Sequence, residues 1–202
     1  MRDDPERFVT FVLGAFALLY YFAVAAQTAK VWRKIGRCPI RWPGGWPERL
    51  RVAGTFVWPL PALAWAHCPA CFGGLRQFVW LESWPVRLLG LLAACLAGAI
   101  VTVAYAELGE RWRIGVDPED RGGFVQTGIY ASIRHPVYAA LWLVLLGFFL
   151  LAPNMLFALL WALGGTAASA QADAEEAHLL DQHGKPYRDY LLMTGKFFPL
   201  FF

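Results

Sequence analysis

Arg134 and His135 are adjacent in the chain and are followed by Pro136 and Tyr138. The fixed φ of a proline suits the first turn of a helix, which puts a guanidinium and an imidazole at the mouth of the apolar segment that begins there. Glu175 and Glu176 form a second charged pair, just past the end of another apolar segment. Their run is expected to stay helical to His183 and to stop with Gly184 in the C′ position. Glu176 then shares a face with Leu179 and Leu180 by i+3 and i+4 spacing. Opposite charges therefore meet near headgroup level. Two uses fit these residue types: Arg134 and Arg188 snorkel and pair with the glutamates or with phosphates, or the arginine, imidazole and carboxylates together hold a charged ligand.

The elements that must position them are membrane helices. The polar segments Glu107–Tyr138 and Asp173–Pro199 flank a stretch of 38 residues without a charge, His135–Ala172. As one helix it would run about 57 Å at 1.5 Å per residue, against about 30 Å of hydrocarbon. Pro153 and Asn154 in its middle are a turn signal, so the stretch reads as a tight hairpin. Both polar segments then return to one membrane face, where one site can use both.

Composition agrees. Of 202 residues, 58% are apolar and 16% charged, and mean hydropathy is +0.43. A soluble domain carries about 25% charge, so the excess apolar surface points to lipid and excludes disorder and fibrous repeats. The net charge of +3 comes without a basic stripe, which excludes a nucleic-acid partner. Further charge-free windows run over Phe8–Ala29, Val52–Leu75 and Leu88–Ala106. The fold expected is an all-α, single integral-membrane domain over 1–202 with five transmembrane helices near 8–29, 52–72, 88–106, 136–152 and 154–172, and a cytoplasmic C-terminal tail that binds cofactor. The first window lacks a cleavage site and reads as a retained helix. The second holds Pro59 and Pro61, which remove backbone donors and should kink or split it. Fourteen of the 18 Lys and Arg lie in 30–51, 107–135 and the C-terminal tail. By the positive-inside rule these segments face the cytoplasm and the N-terminus lies outside.

The strings TGIYASIRHPVY at 127–138, EEAHLLDQHGKPYRDY at 175–190 and GKFFP at 195–199 resemble the signature of the isoprenylcysteine carboxyl methyltransferase family. The pattern is G-x-Y, R-H-P-x-Y, E-E-x-x-L, G-x-x-Y-x-x-Y and a late Pro, in that order. The resemblance covers roughly 107–199, and related phospholipid and thiol methyltransferases share much of it. It implies S-adenosylmethionine as cofactor, lined by Tyr130, His135, Pro136 and Tyr138 and closed over by Glu175 and Tyr187. It also implies that Arg134 and Glu176 hold the reacting end of a lipophilic or lipidated substrate reached among membrane lipids. Methyl transfer from a sulfonium is an in-line displacement, so alignment at about 3 to 3.5 Å and exclusion of water are the main tasks. An α-carboxylate acceptor, with a reference pKa near 3.5, is already ionised at pH 7 and needs no base; Arg134 would serve as a bidentate clamp. An amine or thiol would need Glu176 or His135 as base. An NADPH-dependent sterol-type reductase, built on a similar C-terminal plan, is the alternative from another enzyme class.

Other features carry less. Cys68 and Cys71 form a C-x-x-C without a thioredoxin-like βαβ context or a second C-x-x-C for zinc, which favours structural or incidental use over a redox pair. Cys95 reads as a small packing residue. His178 and His183 are five apart, not the i, i+4 spacing of a helical metal pair, so no metal is expected. The tryptophans near span ends, among them Trp32, Trp80 and Trp84, read as an anchoring belt, and Trp42–Trp46 as belt or as a lip over a lipid entrance. Small residues from Gly164 to Ala170 suggest close helix contact. Trp112, Arg113 and Asp117 read as a pocket cap or a solvated loop. The terminal Phe197–Phe202 is expected to dip into the interface.

Overall fold

The prolines that open segments set much of the layout. In the computed structural model, which describes residues 5–40, 45–114 and 123–200, Pro5, Pro136 and Pro186 stand in the first turns of their helices. The helices are α1 (Pro5–Ile35), α2 (Trp46–Val57), α3 (Leu60–His67), α4 (Trp84–Leu108), α5 (Pro136–Leu151), α6 (Met155–His183) and α7 (Lys185–Met193). Short 3-10 turns occupy Pro69–Phe72, Val79–Leu81, Gly109–Arg111 and Gly128–Ala131. No strand is present among the described residues. Asp117, Trp42 and Pro43 lie outside them, as do Phe201 and Phe202.

Three helical stretches, Pro5–Ile35, Trp84–Arg111 and Met155–His183, are long and apolar enough to cross a membrane. The hairpin has the expected limits, but α5 has only 16 residues, about 24 Å of helix. The second expected span is split at Trp58 and Pro59 into α2 and α3. Five full-length spans are therefore not what the helix lengths give. The backbone carbonyl of Thr55 would normally accept from residue 59, and proline has no N–H to offer. The Tyr20 hydroxyl of α1 donates to it instead at 2.7 Å, and that of Tyr21 donates to Phe56 O at 2.6 Å. A neighbouring helix thus supplies the donor that the proline lacks.

Lipid offers no hydrophobic drive for helix pairing, so close packing of small residues has to supply it. The α4–α5 crossing shows this. A Cβ on Gly90 would lie 2.7 Å from the Gly147 carbonyl, and one on Gly147 equally near the Gly90 carbonyl. Ala94, Ala97 and Ala140 are buried beside them, with Phe148, Leu151 and Phe157 filling the core between α1, α3, α5 and α6. The small residues of α6 behave as expected, since Leu145 and Trp142 press onto Gly164 and Gly165. Cys95 does not: it is exposed on α4, because Ala94 and Ala97 are the residues turned inward. Outward-facing Phe11, Leu18, Leu19, Phe22, Leu92, Leu96, Leu159 and Leu163 form apolar surface that suits lipid better than water.

Pro153 and Asn154 make the hairpin turn. Asn154 is wholly buried and caps α6, accepting from Phe157 N at 3.2 Å and donating to Ala152 O at 3.0 Å. Residues 76–78 pair with this turn through Phe78 N to Pro153 O and Met155 N to Arg76 O. Just before them, Cys68 and Cys71 are joined in a disulfide. A second core holds Val24, Val31, Val52, Ile114 and Trp112. Trp112 is 3% exposed, so it anchors the first half of the chain to the second instead of capping a pocket or lying in a solvated loop.

Candidate active site

The R-H-P segment is held by backbone pairing with the tail. Gly195 N donates to Ser132 O at 3.0 Å, Arg134 N to Gly195 O at 2.9 Å and His135 N to Lys196 O at 3.1 Å. The Tyr190 hydroxyl of α7 donates to Tyr130 O at 2.6 Å. The two motif regions therefore meet at one end of the α5–α6 hairpin. The turn before them needs its glycine: Gly128 has φ +60° and leaves room for the Glu107 carboxylate, which accepts from Ile129 N at 2.8 Å. α6 carries its glutamates past Ala172 because it runs unbroken for 29 residues and ends at Gly184. That length is about 43 Å, some two turns more than the hydrocarbon needs.

Four ionisable side chains converge there. Glu176 Oε1 accepts from Arg134 Nε at 2.8 Å and from His135 Nε2 at 3.0 Å. His135 Nδ1 lies 3.7 Å from Glu175 Oε2. Glu175 Oε1 accepts from Tyr138 Oη and from Gln171 Nε2, the latter at 3.0 Å. His135 is 6% exposed and Pro136 fully buried at the start of α5. The expected meeting of opposite charges is thus realised, and it is mutual: carboxylates, imidazole and guanidinium satisfy one another.

Arg134 is committed further. Its Nη1 donates to Leu191 O at 3.1 Å and to Thr194 O. With Nε on Glu176, both Nε and Nη1 of the guanidinium are in use. Nη2, which carries two N–H groups, lies outside these contacts.

The electrostatics favour a permanent anion at Glu176. Burial acts to raise its carboxyl, but hydrogen bonds from His135 and Arg134, with the Arg134 charge, outweigh it and hold the pKa at about 2. Such a carboxylate is a weak base at neutral pH. Burial pushes the Tyr130 and Tyr187 hydroxyls up, helped by Glu107 and Glu176 respectively, and raises Tyr190 to about 12. These phenols stay neutral. Tyr187 is 1% exposed and meets Phe124 edge-on at 4.9 Å; Phe124 also touches Tyr190 and His183. Tyr187 is thus buried in an aromatic cluster with Phe124 and Tyr190.

Several residues escaped the sequence reading. Gln171 stands one turn before Glu175 and donates to it, while its own Oε1 is buried without a partner; the i, i+4 spacing was the available signal. Lys196 bonds Asp173 at 2.6 Å and reaches Ser169, strapping the tail to α6. Glu107, Phe124 and Thr127, with Arg111, line a cleft of about 340 Å³ beside the Gly128 turn. Glu107 was visible as the charge that ends the third apolar window, but nothing in its spacing pointed across to residue 128.

Comparison with known proteins adds one finding. Residues 88–180 match the model of the Isoprenylcysteine carboxyl methyltransferase (ICMT) family, the family whose motifs the sequence resembles. The match takes in α4, the Gly128 turn, the R-H-P segment, the hairpin and both glutamates, and stops before Tyr187 and the tail. A domain of this family implies a membrane methyltransferase. Comparison with curated proteins finds no match.

Proposed function

We propose that the protein is an integral-membrane methyltransferase that uses S-adenosylmethionine to methylate the carboxylate of a lipophilic or lipidated substrate. One observation carries this reading: Arg134, His135, Glu175 and Glu176, from two segments 40 residues apart, close into one charged cluster at the membrane end of the ICMT-family domain. In the same reading α5 and the α2–α3 pair complete a five-span topology with the site in the cytoplasm. The disulfide at the opposite end of the hairpin supports that orientation, since disulfides persist on the oxidising side of a membrane.

The residues suit the cofactor's charge. S-adenosylmethionine supplies an electrophilic methyl group on a sulfonium and carries a cationic amino group. Glu175 and the buried, unpartnered Gln171 Oε1 offer an anion and an acceptor for such groups. Tyr130, His135, Pro136 and Tyr138 give the wall beside them, and Tyr187 packs beneath. Glu176 stays ionised and positions Arg134, whose Nη2–H faces the substrate carboxylate. Because that carboxylate is ionised at neutral pH and Glu176 is a weak base, alignment and exclusion of water are the protein's contribution, with no proton to remove.

The test is titration of purified protein with S-adenosylhomocysteine and, separately, NADPH, followed by transfer of labelled methyl to prenylcysteine analogues, phospholipid amines and alkyl thiols. Binding of the first ligand and labelling of the prenylcysteine carboxylate are expected. A response to NADPH alone would overturn the reading, and labelling of amines or thiols alone would overturn the acceptor.

A further inference from the structure

The Cys68–Cys71 disulfide lies outside the machinery just described. It sits by the hairpin turn, next to Phe72, which stacks on Trp65 at 5.4 Å; Trp65 in turn meets Phe157 at the start of α6 at 5.6 Å. The charged cluster is at the other end of α5, about 24 Å away along 16 residues.

Three observations bear on its use. The bridge joins the residue between α3 and the Pro69–Phe72 turn to a residue of that turn three positions on, so it ties together only chain neighbours. That turn is already closed by Cys71 N to Cys68 O at 3.1 Å and Gly73 N to Ala70 O at 3.1 Å, and is fixed from outside by the Phe72–Trp65 stack. A disulfide that restrains so little is a poor staple. Cys71 is an exposed residue and Cys68 a half-buried one, which favours attack by an incoming thiolate at Cys71 with Cys68 as the leaving group.

We propose that Cys68 and Cys71 form a thiol–disulfide exchange site on the face opposite methyl transfer, with a dithiol as the reacting partner. One thiolate of the dithiol attacks Cys71 Sγ; the S–S bond breaks and Cys68 leaves as a thiolate, which takes up a proton. The partner's second thiol then attacks the mixed disulfide and releases Cys71. The dithiol is oxidised by two electrons to its own disulfide, and the C-x-x-C pair is reduced by the same two. Pro69 and Ala70 keep both cysteines on one turn throughout, so the pair can close again.

The test equilibrates the full-length protein in lipid with glutathione buffers of graded oxidised-to-reduced ratio, quenches with acid, alkylates and maps the peptides. The free Cys38, beyond the end of α1, serves as the alkylation control. Cys68 and Cys71 are expected to pass together from fully protected to fully alkylated across the series and to return when the ratio is reversed. Glutathione stands in for the dithiol as probe, two molecules doing the work of one. In Cys68→Ser, the remaining Cys71 is expected to form the mixed disulfide with oxidised glutathione several-fold faster than Cys68 does in Cys71→Ser. A pair that stays oxidised in every buffer until the protein is unfolded is a structural bridge and overturns the proposal; so does a pair that stays reduced throughout. Equal rates in the two variants overturn the assignment of Cys71 as the attacked sulfur. None of these readouts depends on methyl transfer.

Discussion

The carboxylate of Glu107 stands where a side chain on residue 128 would have to go. A Cβ on Gly128 would lie 1.9 Å from Glu107 Oε1, and the residue's φ of +60° already disfavours any L side chain. The end of α4 thereby fixes the turn that leads into Tyr130 and, four residues on, Arg134.

Gly128→Ala is therefore expected to cost more than backbone strain alone. Gly36 supplies the control: its φ is +70°, but nothing lies within 4 Å of a Cβ there. Gly36→Ala should cost roughly 1 kcal/mol, about 2–4 °C in melting temperature for a chain of this size. Gly128→Ala should lower the melting temperature further and abolish the response to S-adenosylhomocysteine, and Glu107→Ala should recover part of the loss. Equal shifts for the two alanine variants would show that the carboxylate yields without cost.

Arg134→Lys tests whether the guanidinium's shape matters or only its charge. Arg134 reaches Glu176 with Nε and the Leu191 and Thr194 carbonyls with Nη1. A lysine ammonium cannot span both sides of that gap. Turnover is expected to fall about 10²-fold through misplacement, and limited proteolysis should open the tail after Met193. A double cycle with Glu176→Gln should be strongly non-additive, because the two residues share one interaction.

The low pKa of Glu176 fixes a sign. Its folded value of about 2 lies below its ordinary 4.5. The stability it contributes is therefore complete above about 4.5 and is lost as pH falls toward 2. The melting temperature of the wild type should exceed that of Glu176→Gln above pH 4.5, with the margin shrinking as pH falls from there toward 2. The acid limb of the activity profile should not move in Glu176→Gln. A limb near neutral pH that disappears in this variant would make Glu176 a base and favour an amine or thiol acceptor.

Much of this was readable before the fold was known, for identifiable reasons. The hairpin was legible because a charge-free run of 38 residues cannot cross once, and Pro153 with Asn154 left one place to turn. The continuation of α6 to His183 followed from Gly184. That Arg134 meets the glutamates followed from charges placed at the same membrane level, but which glutamate it pairs with did not. Other features depend on geometry that spacing does not encode. The hold of Arg134 on Leu191 and Thr194 is made to backbone carbonyls, which every residue has. The outward turn of Cys95 depends on α4 meeting α5 at Gly90 and Gly147. The burial of Trp112 depends on the path from α1 to α2, which brings Pro39 O to Ile114 N at 3.2 Å.

The break in the second apolar stretch offers the cleanest test of membrane packing. Trp58 and Pro59 both keep helical φ and ψ, so the α2–α3 break is mainly one of missing hydrogen bonds. The Tyr20 hydroxyl supplies Thr55 O with the donor that Pro59 lacks. Tyr20→Phe keeps the ring, which packs on Trp58 at 4.7 Å, and removes that donor. Loss of one hydrogen bond of this kind costs about 0.5–1.5 kcal/mol, read as a lower melting temperature. Pro59→Ala restores a backbone N–H in register with the same carbonyl. In that background, Tyr20→Phe should cost close to nothing, whatever the proline replacement costs by itself. A full-sized Tyr20→Phe penalty in both backgrounds would mean that the hydroxyl serves some other partner, and that the proline break is stabilised by packing alone.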